Sequence, residues 1–162
     1  MKLSNEQLAY LAGFIDAEAS VECQKQMQKH GKTPRYSLRL SITLATEEPL
    51  KTFTSWFESS YKKYPATDAK RSPRYRMHIP KGVAIGLLTA CLPFFLLKRR
   101  QAEIILEIES VRARFSPKRK HFRATHFKQM PVIAITKMEK LFRELRSLKS
   151  NKRAMHCRIN KV

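Results

Sequence analysis

The chain has 162 residues, 43% of them hydrophobic, which is enough for one domain with its own core. Lys and Arg number 33 against 13 Asp and Glu, and the net charge of +20 is an electrostatic footprint for nucleic acid, although a ribosomal protein, an RNA-binding module or a membrane-surface protein would carry it equally well. Cys23, Cys91 and Cys157 are odd in number, far apart and match no zinc spacing, which excludes a disulfide framework, and the longest apolar run, residues 83–97, is too short to span a membrane and contains Gly86 and Pro93.

These priors predict a single domain over residues 1–162, with a core at about 4–115 and a basic helical extension at about 116–162. Free thiols in a reducing compartment, no leader ahead of Ser4 and no membrane partner are expected.

Ser4 and Gln7 stand at capping-box spacing, so a helix should start near Asn5. From Leu8 to Ile15 every residue is nonpolar, and a helix apolar all round should be buried on every side, one side by its own chain and the other by a partner. Gly13 in mid-helix costs about 1 kcal/mol against Ala, which implies a packing reason. The helix ends in Asp16 and Glu18, and carboxylates at a helix C-terminus oppose the macrodipole. Either both are solvated or a cation sits nearby.

Residues 20–29 alternate, with Val21, Cys23, Lys25 and Met27 on one face and Glu22, Gln24, Gln26 and Gln28 on the other. A turn at 30–34 leads to a second strand, 35–45, with Leu38, Leu40, Ile42 and Leu44 inward and Ser37, Arg39, Ser41 and Thr43 outward. The two should form a hairpin whose outer face can hydrogen-bond at every position. Gln and Arg read adenine and guanine edges bidentately, and a two-stranded ribbon fits the major groove. A merely solvated face would mix in more Lys and Glu, so readout is favoured.

Thr46 can cap a second helix, with Leu50, Phe53, Phe57 and Tyr61 as its core stripe, Trp56 joining it and Tyr64-Pro65 ending it. Residues 66–80 then read as a second hairpin, with Lys70 and Arg71 in its earlier strand or tip and Arg74, Arg76 and His78 on a basic outer face. Residues 81–91 form a helix expected to be buried, interrupted at Leu92-Pro93. A further helix should run to about Phe115, with Ile105, Ile108, Val111 and Phe115 inward. Residues 116–126 are strongly basic, and a last amphipathic helix at 132–148 carries Ile135, Met138, Phe142 and Leu145 before a basic tail. This region is assigned to phosphate contacts, which position without specifying sequence.

The stretch from Leu11 to Ala19 resembles the signature of the LAGLIDADG homing endonucleases. Leu11, Ala12, Gly13, Ile15, Asp16 and Ala17 match the motif letter for letter, Phe14 is a conservative replacement, Glu18 stands where the second Asp usually is and Ala19 where the last Gly is. The segment Leu97-Lys98 through Gln101-Ala102 resembles the family's second recognisable segment, in which a lysine leads into a helix near a Gln-Ala pair. The predicted α-β-β-α-β-β-α order matches the family's α/β (α+β) core, in which a curved antiparallel sheet saddles a DNA duplex.

The resemblance implies a site-specific, intron-encoded DNA endonuclease in a prokaryotic cytoplasm or an organelle. It makes Glu18, helped by the Ala17 carbonyl, the ligand of a divalent cation, Mg²⁺ or another such as Mn²⁺, and Lys98 the cation beside the cleaved phosphate. Arg99 and Arg100 would anchor phosphates. The polar residue that the family places near the end of the second strand is best matched by Thr46, as the third catalytic residue. One motif per chain implies a homodimer with Leu11, Ala12, Gly13, Ile15 and Asp16 at its interface, and hence a near-palindromic target. A cleavage-deficient DNA-binding protein or splicing maturase on the same fold, or a general basic RNA-binding protein, remain as alternatives.

Overall fold

A computed structural model describes residues 3–27, 34–57, 59–66, 72–115 and 130–159. The elements follow as α1 (Asn5–Glu18), β1 (Ala19–Met27), β2 (Pro34–Leu44), α2 (Glu48–Phe57), β3 (Tyr61–Tyr64), β4 (Arg74–Ile79), α3 (Lys81–Cys91), a 3₁₀ turn (Leu92–Phe94), α4 (Arg99–Phe115) and α5 (Val132–Ile159). This is the expected αββαββα order with two helices, α4 and α5, appended. The sheet has four strands in the order β1-β2-β4-β3, with β4 antiparallel to both β2 and β3. Among the described residues no helix is long and apolar enough to cross a membrane.

Two compact units divide the chain, Met1–Glu22 with Leu38–Glu103, and Cys23–Ser37 with Ile104–Val162. In the first, α1 starts where its cap predicts. The Ser4 Oγ accepts from the Gln7 N–H at 3.3 Å and the Gln7 Oε1 accepts from the Ser4 N–H at 2.9 Å, which satisfies two otherwise orphan donors. One side of α1 packs on α3 and the 3₁₀ turn, burying Leu11, Ala12 and Ile15. The other side stays open, with Tyr10 58% exposed. Among the described residues α3, the 3₁₀ turn and, through Phe14, α2 cover this helix, and the face carrying Tyr10 and Gly13 is exposed.

Phe14 reaches α2, its ring 4.7 Å from Phe53 in an edge-to-face pair, and Phe53 also contacts Trp56 and Phe57, so Trp56 joins the aromatic cluster as expected. Helix α2 itself differs from expectation at both ends. Its first backbone bonds run from Leu50 and Lys51 to the Glu47 carbonyl, so Glu47 and not Thr46 occupies the cap position. It stops at Phe57, and Tyr61 begins strand β3, five residues ahead of the expected hairpin at 66. Tyr-Lys-Lys-Tyr has β-forming ends, and Tyr61 is held off the helix by donating its hydroxyl to Glu47 and by an edge contact with Tyr75.

The β2–β4 register pairs Leu40 with Ile79 and Ile42 with Met77 on the buried face. Helix α3 buries Ala84, Leu87, Leu88 and Cys91 but leaves Val83, Gly86, Thr89 and Ala90 exposed, so it is half-buried and not enclosed. Cys23 and Cys91 are free thiols, and burial pushes the Cys91 thiol up to about 11, keeping it protonated and inert.

In the second unit Ile104, Ile105, Ile108 and Val111 of α4 are buried, as are Ala134, Met138, Leu141 and Leu145 of α5. Phe115 was expected inward and is instead exposed at the last position of α4. Helix α5 runs on to Ile159, beyond the predicted end at 148. Glu139 on α5 accepts from Lys25 Nζ at 2.6 Å and from the hydroxyl of buried Tyr36, whose ring lies edge-on to Phe142.

The donors on Glu139, Lys25 first and Tyr36 second, hold its carboxyl down at about 2, against an ordinary 4.5. Because the folded-state value is depressed, the stabilisation is complete above about pH 4.5 and disappears as the pH falls toward 2. Glu139→Gln should cost about 1–2 kcal/mol at pH 7 and flatten the acid limb of stability, which denaturant melts across that pH range would measure.

Candidate active site and nucleic-acid interface

The C-terminal end of α1 is built by residues far apart in sequence. Asp16, only 8% exposed, accepts three backbone N–H groups, from Leu96 at 2.7 Å, Leu97 at 3.0 Å and Lys98 at 2.8 Å. The loop held this way turns Lys98 back onto the helix. Its Nζ donates to the Ile15 and Asp16 carbonyls, each at 2.6 Å. An ammonium on the last carbonyls neutralises the negative end of the helix. Lys98 thus places a cation at this helix end.

Ala17 and Glu18 stand exposed just beyond these carbonyls. The Glu18 carboxylate and the Ala17 carbonyl are oxygen donors of the kind a hard divalent cation takes, but they fall short of the roughly six that such an ion requires. Among the described residues no group of three or more His, Cys, Asp or Glu is placed to hold a metal. The two donors fit a cation in kind but not in number.

Of the residues expected at a dimer interface, Leu11, Ala12, Ile15 and Asp16 are already buried within their own chain, as backing for the helix and as the anchor of the 96–98 loop. That leaves Gly13 on the exposed face, where an added side chain would meet nothing within 4 Å. Thr46 lies exposed between β2 and α2.

The outer sheet face of the first unit carries Glu22, Arg39, Ser41 and Thr43 on β1 and β2 and Arg74, Arg76 and His78 on β4, each pointing away from the core as the alternation predicts. Ser41 stands opposite His78 and Thr43 opposite Arg76. The register adds Lys62, opposite Arg76 on β3, and Tyr64, opposite Arg74. Both escaped the sequence reading because residues 61–64 were assigned to a helix; the β-forming tyrosines were the available signal. The face is electropositive enough to act on its own histidine, since partial burial first, then Arg39, Arg76 and Lys62, push His78 below its usual value. It is neutral at pH 7.

Gln24, Gln26 and Ser37 lie on the outer strand segments of the second unit. Gln28, Lys70, Arg71 and the basic stretch 116–126 fall outside the described residues. Arg99 and Arg100 are exposed on the first turn of α4, and both reach Glu103, at 3.4 and 3.2 Å.

No protein-family model matches the sequence, and no curated protein matches it. Solved structures do match the fold. The chain is similar to an archaeal intron-encoded homing endonuclease, I-Vdi141I, complexed with DNA, at 19% identity and a TM-score of 0.67 over 89% of this chain and 84% of that one. It is similar to the homing endonuclease I-CvuI in complex with its target in the presence of Ca, at 19% identity and a TM-score of 0.60 over 88% of this chain and 82% of that one. It is also similar to the LAGLIDADG homing endonuclease I-GzeII in complex with a DNA target, at 12% identity and a TM-score of 0.61 over 83% of this chain but only 43% of that one. At these identities the likeness is one of fold.

Proposed function

We propose that this chain, whose fold is that of the LAGLIDADG homing endonucleases, is a site-specific DNA endonuclease that works as a homodimer. The observation that carries the proposal is the end of α1, where an exposed carboxylate, Glu18, follows directly on carbonyls capped by Lys98. A carboxylate and an ammonium at one point are what hydrolysis of a phosphodiester asks for, the first to hold a cation and the second to offset charge on the phosphate.

In this reading Glu18 and the Ala17 carbonyl hold a divalent cation, most simply Mg²⁺, with Mn²⁺ as a substitute. When bound, such an ion supplies Lewis-acid stabilisation of the attacking and leaving oxygens. Lys98 keeps its ammonium beside the scissile phosphate, and Thr46 is the exposed hydroxyl available to order water. Glu22, Gln24, Gln26, Arg39, Ser41, Thr43, Arg74, Arg76 and His78 face the major groove, while Arg99 and Arg100 bind phosphates.

Two features support the dimer. Among the described residues one chain carries a single such helix end with too few oxygen donors, and α1 leaves a face of small residues, Ala9, Gly13 and Ala17 beside Tyr10, exposed. A symmetric pair would bring two Glu18 carboxylates together and read a near-palindromic site. The protein would act where its target DNA is, in a prokaryotic cytoplasm or an organelle.

Selection of cut ends from a random duplex library in Mg²⁺, with parallel selection for binding in Ca²⁺, tests the proposal. Convergence of cut ends on one long, two-fold-symmetric sequence is expected. Enrichment by binding with no cutting would mark a binder or maturase on this fold. No enrichment in either arm would point to sequence-independent RNA or DNA binding, which competition with structured RNA at fixed salt would identify.

A further inference from the structure

The arginines of the sheet face are not equivalent. Arg76 stands out because its guanidinium is held on two sides before any ligand arrives. Its Nε donates to the Thr43 Oγ1 across the β2–β4 pair at 3.1 Å, and its Cζ lies 5.4 Å from the centre of the Tyr64 ring on β3, within cation–π range. Among the described residues no carboxylate pairs with it. It opens onto a cleft of about 260 Å³ walled by Tyr64, Pro65 and Arg74.

Occupying Nε in this way leaves the two terminal nitrogens as a parallel pair of donors. Such a fork matches the two acceptors that guanine presents in the major groove, O6 and N7. A phosphate also accepts such a fork, but it carries no sequence information, so base preference at one position tells the two roles apart. Ordering an arginine in advance removes side-chain entropy that would otherwise be lost on binding, and that matters where one geometry must be met.

The geometry points to Arg76 as the reader of one guanine in each half of the target, with Thr43 and Tyr64 as the residues that position it. This rests on the proposed function in requiring that duplex DNA bind the outer sheet face of a symmetric dimer; cleavage is not needed. The test is therefore a binding selection, with the full chain and a random duplex library in Ca²⁺, for the unaltered protein and for Arg76→Ala, Arg76→Lys, Thr43→Val and Tyr64→Leu. All four changes are on the outer sheet face, and thermal melts would verify that each variant folds.

The unaltered protein should show G·C at one pair of positions related by the two-fold. Arg76→Ala should lower preference there by about 5- to 150-fold and leave the other positions unchanged. Arg76→Lys should lose most of the same preference despite keeping its charge. Thr43→Val and Tyr64→Leu should weaken preference at that pair alone, by less. An even loss of affinity across all sequences in Arg76→Ala, or full retention in Arg76→Lys, would make Arg76 a phosphate contact and overturn the assignment. A selection in which the unaltered protein enriches no sequence would overturn this assignment and the endonuclease reading together. Enrichment with a profile that Arg76→Ala leaves intact would overturn this assignment alone.

Discussion

Glu18→Gln is expected to lower DNA cleavage by at least about a thousandfold while leaving duplex binding in place. Gln keeps the length and one carbonyl oxygen of Glu but removes the negative charge that would hold a divalent cation. Since Glu18 is exposed at the end of α1, the change should leave the fold intact. Binding should stay level or tighten, because a negative charge facing phosphates is lost. Glu18→Asp, which restores the residue usual in this motif, should keep cleavage. Gel assays of binding in Ca²⁺ and of cutting in Mg²⁺ separate the two effects. Retained cutting in Glu18→Gln would remove Glu18 from the active site.

Asp16→Ala is expected to be the most destabilising single change at this end of the molecule. The Asp16 carboxylate accepts three backbone N–H groups from residues 80 to 82 positions away, and it is nearly inaccessible. Hydrogen bonds to a charged acceptor contribute about 1.5–3 kcal/mol each. The exposed Leu96 and Leu97 let water reach part of the freed loop, so a net cost of about 2–4 kcal/mol is expected rather than the full sum. Releasing the loop also releases Lys98 from the Ile15 and Asp16 carbonyls, so cleavage should fall further than the stability loss explains at temperatures where the variant is folded. Thermal melts paired with single-turnover cutting at low temperature would show this. A drop in melting temperature with cutting unchanged would mean that the loop does not position Lys98.

The capping box, the strand alternation and the helix end were legible because each is a local pattern. Ser4 and Gln7 lie within one turn, and the outward residues of β2 and β4 follow a period of two without interruption. What was hidden depends on distant partners. Nothing near Asp16 in sequence announces the amides of residues 96–98, so its role as an internal anchor is not legible there, and of the expected settings the structure removes the solvated one. Lys98 was legible as a cation near the site, though its two carbonyl partners were not. Strand β3 was obscured by the four-residue spacing of Phe57 and Tyr61, which continues a helical stripe on paper. That error also hid Lys62 and Tyr64, and with Tyr64 the setting of Arg76. The cover of α3 was overestimated because an apolar run does not say how many layers will cover it.

The central claim is that each chain contributes half of the catalytic apparatus. Mixing the unaltered chain with Glu18→Gln at constant total concentration, allowing exchange, and then measuring double-strand cleavage of the selected duplex in Mg²⁺ tests it most directly. If both chains are required, double-strand cutting falls as the square of the unaltered fraction, and the mixed species nick at most one strand. A linear decline, with each unaltered chain still making complete breaks, would contradict the account.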